Sequence, residues 1–201
     1  MIVVVDYGMG NLRSVSKALE HLGGKVKVSS DPREIEKADK VVLPGVGAFG
    51  DAARELRLLG LFEPITAFIE NSRPFLGICL GLQLLFSKSD ESPDAKGLGL
   101  FPGNVRAFHS PKVKIPHMGW NSIQILKKHP LLKGIPDESF FYFVHTYYAV
   151  PRDQGLAIAN CRYGRENFPA VLGTETLFAT QFHPEKSQQA GLAILKNFLK
   201  W

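Results

Sequence analysis

The first half of the chain is built on short apolar runs with almost no polar alternation: Ile2 to Val5, Val26 to Val28, Val41 to Leu43 and Phe75 to Ile78. A strand with one face in water alternates apolar and polar residues, so runs of this kind belong in a parallel sheet covered on both faces. Helical spacing separates them. Leu12, Val15, Leu19 and Leu22 recur at helical intervals, as do Ala52, Leu56 and Leu59, and then Leu61, Ile65, Phe68 and Ile69. The spacing predicts strand, helix, strand and strand over Ile2 to Leu43. Across the half it predicts a doubly wound α/β fold in three layers, with a mostly parallel sheet flanked by helices.

From about Gly97 the segments become shorter and richer in aromatic and β-branched residues: Ser122 to Ile125, Phe140 to Tyr148, Leu156 to Cys161 and Phe178 to Phe182. They read mainly as antiparallel additions to the sheet. Ser187 opens a closing amphipathic helix with Ala190, Ile194, Leu195, Phe198 and Leu199 on its buried face. No repeat, low-complexity tract or linker divides the sequence, so residues 1–201 are expected to form one domain.

The formal charge is +5, but Lys and Arg are scattered among acids and form no run. That pattern suits a basic solvated surface or an acidic protein partner, and not nucleic acid. The two cysteines and the strand-like opening Met1-Ile2-Val3-Val4-Val5 point to a reducing, cytoplasmic setting. No apolar stretch approaches the roughly 20 residues of a membrane span.

The sharpest local signal is Phe75-Leu76-Gly77-Ile78-Cys79-Leu80-Gly81-Leu82-Gln83, an apolar strand running through Gly-x-Cys-x-Gly into a helical pattern with Leu82, Leu85 and Phe86. This is the cysteine counterpart of a nucleophile elbow. A sharp strand-to-helix turn needs small flanking residues, which Gly77 and Gly81 supply. A helix starting after Cys79 also sets free N–H groups and positive dipole beside the sulfur, which favours thiolate. The competing reading is a buried cysteine acting as a small hydrophobe. Cys161, in Asn160-Cys161-Arg162-Tyr163, has no such setting and reads as structural.

A thiolate needs a base within reach, and the base needs a group that holds its tautomer. Among the six histidines, His183 follows a strand-like run and stands two residues before Glu185. Pro184 keeps His183 out of the helical region, so alternation along an extended chain sets Glu185 on the same side as the imidazole. His145 lacks an acidic neighbour and reads as lining or supporting the site. An oxyanion hole is expected from Pro44-Gly45-Val46-Gly47, a Gly-rich loop after a buried strand. The donors would be the N–H groups of Val46 or its neighbours and of Leu80, the residue after the nucleophile. Phosphate cradling competes for that loop, but no Gly-Lys-Ser/Thr ending follows.

Taken together, Gly77 to Gly81 and His183-Pro184-Glu185 resemble the elbow and late triad of class I glutamine amidotransferases. Asp6 to Asn11, Pro44 to Gly47, His117-Met118-Gly119-Trp120-Asn121, Tyr142 to Tyr147 and Gln181 to Ser187 extend the resemblance to that family's glutaminase subunits of imidazole glycerol phosphate synthases. The resemblance implies that Cys79 attacks a glutamine carboxamide, that His183 and Glu185 complete the triad, and that no metal or cofactor takes part. It assigns substrate binding to Gly47, Gln83, Glu91 and the Thr146-Tyr147 backbone. It implies a heterodimer with a (β/α)8-barrel cyclase that consumes the ammonia, meeting this chain at Asn11, His117, Met118, Trp120, Tyr142 and Lys186. Rotation of the peptide entering Val46, eased by Gly45 and Gly47, is expected to gate the oxyanion donor. On the residues alone, a glutaminase of another pathway and a non-catalytic scaffold with an unreactive Cys79 stay open.

Overall fold

The computed structural model describes residues 1–109 and 113–201. The first strands and helices are β1 (Ile2–Val5), α1 (Leu12–His21), β2 (Val26–Ser29), α2 (Pro32–Lys37), β3 (Lys40–Gly45), α3 (Phe49–Leu58), α4 (Phe62–Glu70), β4 (Phe75–Cys79) and α5 (Leu80–Gln83). They are followed by β5 (Gly103–Ala107), β6 (His117–Ser122), β7 (Gln124–Ile125), β8 (Phe140–His145), β9 (Tyr147–Pro151), β10 (Ala157–Tyr163), β11 (Glu166–Gly173), β12 (Leu177–Thr180) and α6 (Gln188–Lys200). Among the described residues no helix is long and apolar enough to cross a membrane.

The main sheet runs β2-β1-β3-β4-β12-β11-β10-β7. Its β2-β1-β3-β4-β12 portion is parallel, and the remaining three strands join antiparallel. Alternate residues of the central strands feed two cores. Ile2, Val4, Val42, Leu76 and Ile78 face Val15 and Leu19 of α1 and Ile194, Leu195 and Phe198 of α6. Val3, Val5, Val41, Leu43 and Phe75 face Ile35 of α2, Leu56 of α3 and Ile65 and Phe68 of α4. Unalternating apolar runs are thus the signature of a sheet with helices on both faces, as the sequence requires.

Several expectations need correction. A short helix, α2, intervenes between β2 and β3. Its signal was local: Asp31 accepts from Arg33 N as the N-cap and Pro32 opens the helix. The edge strand β2 is not buried on both faces, and Leu59, expected in the core, is the exposed C-cap of α3. β11, not anticipated because Pro169 interrupts it, lies inside the sheet. Pro169 faces Asn160, where the register of β10 shifts, so the missing N–H falls at an irregularity of the ladder.

The antiparallel additions do not all join the main sheet. β5 pairs with β9 and β6 with β8 as separate two-stranded ribbons. The expected Phe140 to Tyr148 strand divides at Thr146, where the chain leaves β6 and takes up β5 as its partner. Ser122 to Ile125 likewise divides between β6 and β7.

Candidate active site

Parallel pairing of β3, β4 and β12 brings three loops to one end of the sheet. Gly45 is in register with Cys79, and Thr180 with Ile78, so the loop after β3 and the turn carrying His183 flank the end of β4. Cys79 adopts φ +54°, ψ −106°, a conformation L-residues avoid and a hallmark of a nucleophile held on a tight turn. The glycines are required by contact. A Cβ on Gly81 would strike the Leu43 carbonyl oxygen, and one on Gly77 would stand 3.0 Å from the Gly81 carbonyl oxygen.

The helix after Cys79 is shorter than its apolar pattern suggested. It ends at Gln83 because the carbonyls of Leu84, Leu85 and Ser87 accept from Leu98 N, Phe101 N and Gly97 N instead of continuing the helix. The favourable field at the sulfur therefore comes from the free N–H groups of one turn, including that of Leu80, which as the first helical residue has no partner within the helix.

The His183 ring is buried, and its Nδ1 lies 2.9 Å from Glu185 Oε1. The expected pair is present, but by another route: His183 is extended (φ −98°, ψ 100°), whereas Pro184–Lys186 form a 3-10 turn that swings the carboxylate back under the ring. Ser187 locks this turn, donating from Oγ to the His183 carbonyl at 2.6 Å and accepting from Tyr142 N at 2.9 Å. Burial opposes charge on His183, yet the adjacent Cys79 sulfur and Glu185 prevail and raise its pKa to about 10. Nε2 is buried and has no partner of hydrogen-bonding geometry. Burial, then Glu138, pushes the Cys161 thiol up to about 12, consistent with a structural role.

A cleft of ≈ 430 Å³ opens over Cys79. Val46, Gly47, Leu80, Gln83, Glu91, Thr146, Tyr147 and Lys186 all line it, together with His145 and two residues the sequence reading missed, Pro116 and Val144. Glu91 Oε2 accepts from Phe49 N at 2.7 Å, supplying the N-terminal cap that Ala48 cannot give to α3. Gly47 has φ +102°, whereas Gly45 is required by close approach, since a Cβ there would meet Tyr7 Oη at 2.5 Å and Leu80 Cβ at 2.8 Å. Any side chain at Gly45 would therefore be a steric lesion. Tyr7 Oη donates to the Pro44 carbonyl at 3.0 Å; burial, then the nearby Cys79, raises its pKa and keeps the phenol protonated.

Gln181, buried between β12 and His183, also escaped the sequence reading. Its Nε2 stands 3.6 Å from Cys79 Sγ, and its Oε1 accepts from Gln83 Nε2 at 3.2 Å. Spacing does not mark it: β12 ends at Thr180 and the chain bends at Gln181 and Phe182, so the two-residue alternation of a strand does not carry through to His183.

Of the expected interface residues, His117 is misplaced. It is 2% exposed, stacked between Phe143 and Tyr163, and its Nδ1 lies 2.9 Å from His145 Nε2. In β6, paired with β8, its side chain faces inward while those of Met118 and Trp120 are exposed, 60% and 46%. Trp120 meets Tyr142 edge to face at 6.1 Å, and Lys186 Nζ stands 5.9 Å over the Tyr142 ring. Asn11 is half-buried at the N-cap of α1.

An elbow cysteine beside a carboxylate-oriented histidine, at the ends of adjacent parallel strands, defines a cysteine-dependent acyl-transfer site on a three-layer α/β fold, and the chain belongs to the class-I glutamine amidotransferase family, whose model matches residues 3–201. Among its relatives is the imidazole glycerol phosphate synthase subunit HisH of Syntrophotalea carbinolica, 50% identical and matched over 98% of both chains. The HisH subunit of Caldanaerobacter subterraneus subsp. tengcongensis is 51% identical over 98% of this chain and 97% of the relative. The fold is shared with a glutamine amidotransferase crystal structure at TM-score 0.77 and 19% identity, covering 100% of this chain and 98% of the other. It is shared equally with PurLQS from Thermotoga maritima, at TM-score 0.77 and 20% identity, covering 99% and 97%.

Proposed function

We infer that this chain is the glutaminase subunit of an imidazole glycerol phosphate synthase, acting as one amidotransferase domain over residues 1–201. The observation that carries the chemistry is the strained Cys79 facing a cleft, with buried His183 held by Glu185 at 2.9 Å. In this reading the Cys79 thiolate attacks the side-chain carbonyl carbon of glutamine. Leu80 N–H and the Val46 region receive the oxyanion, and His183 gives its proton to the departing nitrogen, releasing ammonia and leaving a glutamyl thioester. Water, deprotonated by His183, then cleaves the thioester to glutamate and restores the sulfur.

Glu91 Oε2 is engaged by Phe49 N, which leaves the other oxygen for the substrate ammonium group. Both N–H groups of the Gln83 carboxamide are committed, to the Tyr147 carbonyl and to Gln181, so Gln83 offers its oxygen to the ligand. Ammonia is consumed by a partner subunit, which we propose is a (β/α)8-barrel cyclase docking on Met118, Trp120, Tyr142 and Lys186, with Asn11 at the margin. The exposed Met and Trp beside a cation fit an apolar anchor with an acidic neighbour.

The test is glutamate release by the purified chain, alone and with the cyclase and its ribonucleotide ligand. The expected outcome is little activity alone, strong activity in the full mixture and none with Cys79→Ala. Full activity alone would remove the gating, and activity retained by Cys79→Ala would remove the mechanism.

A further inference from the structure

Two carboxamides form a directed path that ends on the nucleophile, and a backbone carbonyl fixes its direction. The Tyr147 carbonyl can only accept, so the Gln83 group 2.9 Å away must be its NH2. That same nitrogen is 3.2 Å from the Gln181 side chain, which must therefore present oxygen to Gln83. The Gln181 NH2 is left, without freedom to flip, 3.6 Å from Cys79 Sγ. A second donor reaches the Tyr147 carbonyl: His145 Nδ1 at 2.8 Å, so that ring is protonated on Nδ1 and accepts on Nε2 from His117 Nδ1. Burial holds both imidazoles neutral, which agrees with one proton each. Every member of the chain has a single consistent role.

We propose that Gln181 is the fixed donor to the Cys79 sulfur: its carboxamide N–H holds the thiolate at the end of β4 and stabilises it alongside His183, while Gln83 and the Tyr147 carbonyl set its polarity. This rests on Cys79 being the nucleophile. Gln181 is wholly buried and shares the space below the cleft with the sulfur. A donor there strengthens in the anionic state and loses its charge-assisted bond when the thioester forms, so it favours attack at low pH and cleavage of the thioester afterwards. The thiol finds a weaker alternative, the Val144 carbonyl 4.0 Å from Sγ.

The experiment is the pH profile of Cys79 alkylation by iodoacetamide, with the adduct located by mass spectrometry, in the full chain and in its complex with the partner subunit. His183, His145, Tyr7, Glu91, Glu185 and Lys186 surround the sulfur and stay constant across the variants. Gln181→Met, close in size but without a donor, should slow alkylation about 10-fold near pH 6 and little near pH 9. Gln181→Glu, nearly isosteric, keeps the acceptor for Gln83 but sets a carboxylate against the sulfur, and should slow it further; it carries the test if the Met variant fails to fold. Glutamine turnover should fall with kcat more than with KM. Profiles of either variant that overlay the wild type would overturn the role of Gln181. An unreactive wild-type Cys79, with Cys79→Ala still active, would instead overturn the nucleophile on which it rests.

Discussion

The His183 imidazole shows how much of this site follows from local chemistry. Its pKa lies above the ordinary value of about 6.5, held near 10 by Cys79 and Glu185 against the effect of burial. A raised folded-state value means that the pair's stabilisation is fully present below about pH 6.5 and is lost as pH rises through about 10. Glu185→Gln keeps the shape but removes the charge, so its stability deficit in urea melts should be largest near and just below about pH 6.5 and shrink as pH rises toward about 10. The alkaline limb of kcat/KM for glutamine in the complete enzyme should also move down in that variant, because in the proposed mechanism the leaving nitrogen takes its proton from His183. Cys79, His183 and Glu185 were legible because each sits in a local pattern of glycines, proline and charge. Gln181 and the inward turn of His117 were not. Their roles depend on which side chains from distant strands converge, and spacing within one segment carries no record of that.

Among the elements, α6 depends on a residue from the far end of the chain. Lys40, at the start of β3, donates from Nζ to the carbonyls of Phe198 and Leu199 at 2.8 Å each, satisfying the exposed C-terminal end of the helix. Burial, opposed by the nearby Asp39, lowers the Lys40 pKa. Lys40→Met should reduce stability by about 1 kcal/mol, measured by denaturant unfolding, and increase exchange of the α6 amides. The parallel strands and longer helices could be read from periodicity because one stripe of each is buried. What periodicity could not reveal was α2, with Ile35 as its only buried residue, and β11, where Pro169 sits opposite a register shift. In both, capping or pairing with a neighbour prevails over local pattern.

At the scale of the whole molecule, the separate β6–β8 ribbon explains why one strand serves two faces. Its inward residues hold His117 and His145 against the core, and its outward residues present Met118 and Trp120. Trp120→Ala should weaken association with the partner subunit by about 10-fold or more, read by titration calorimetry, with alkylation of Cys79 in the free chain unaffected. The sheet order has a further consequence in time. β4 and β12 are neighbours in space, but β12 leaves the ribosome after every other described strand and leads into the turn bearing His183 and Glu185. A nascent chain therefore displays the cysteine long before it owns the imidazole, and in the proposed mechanism only the pairing of β12 with β4 arms the sulfur.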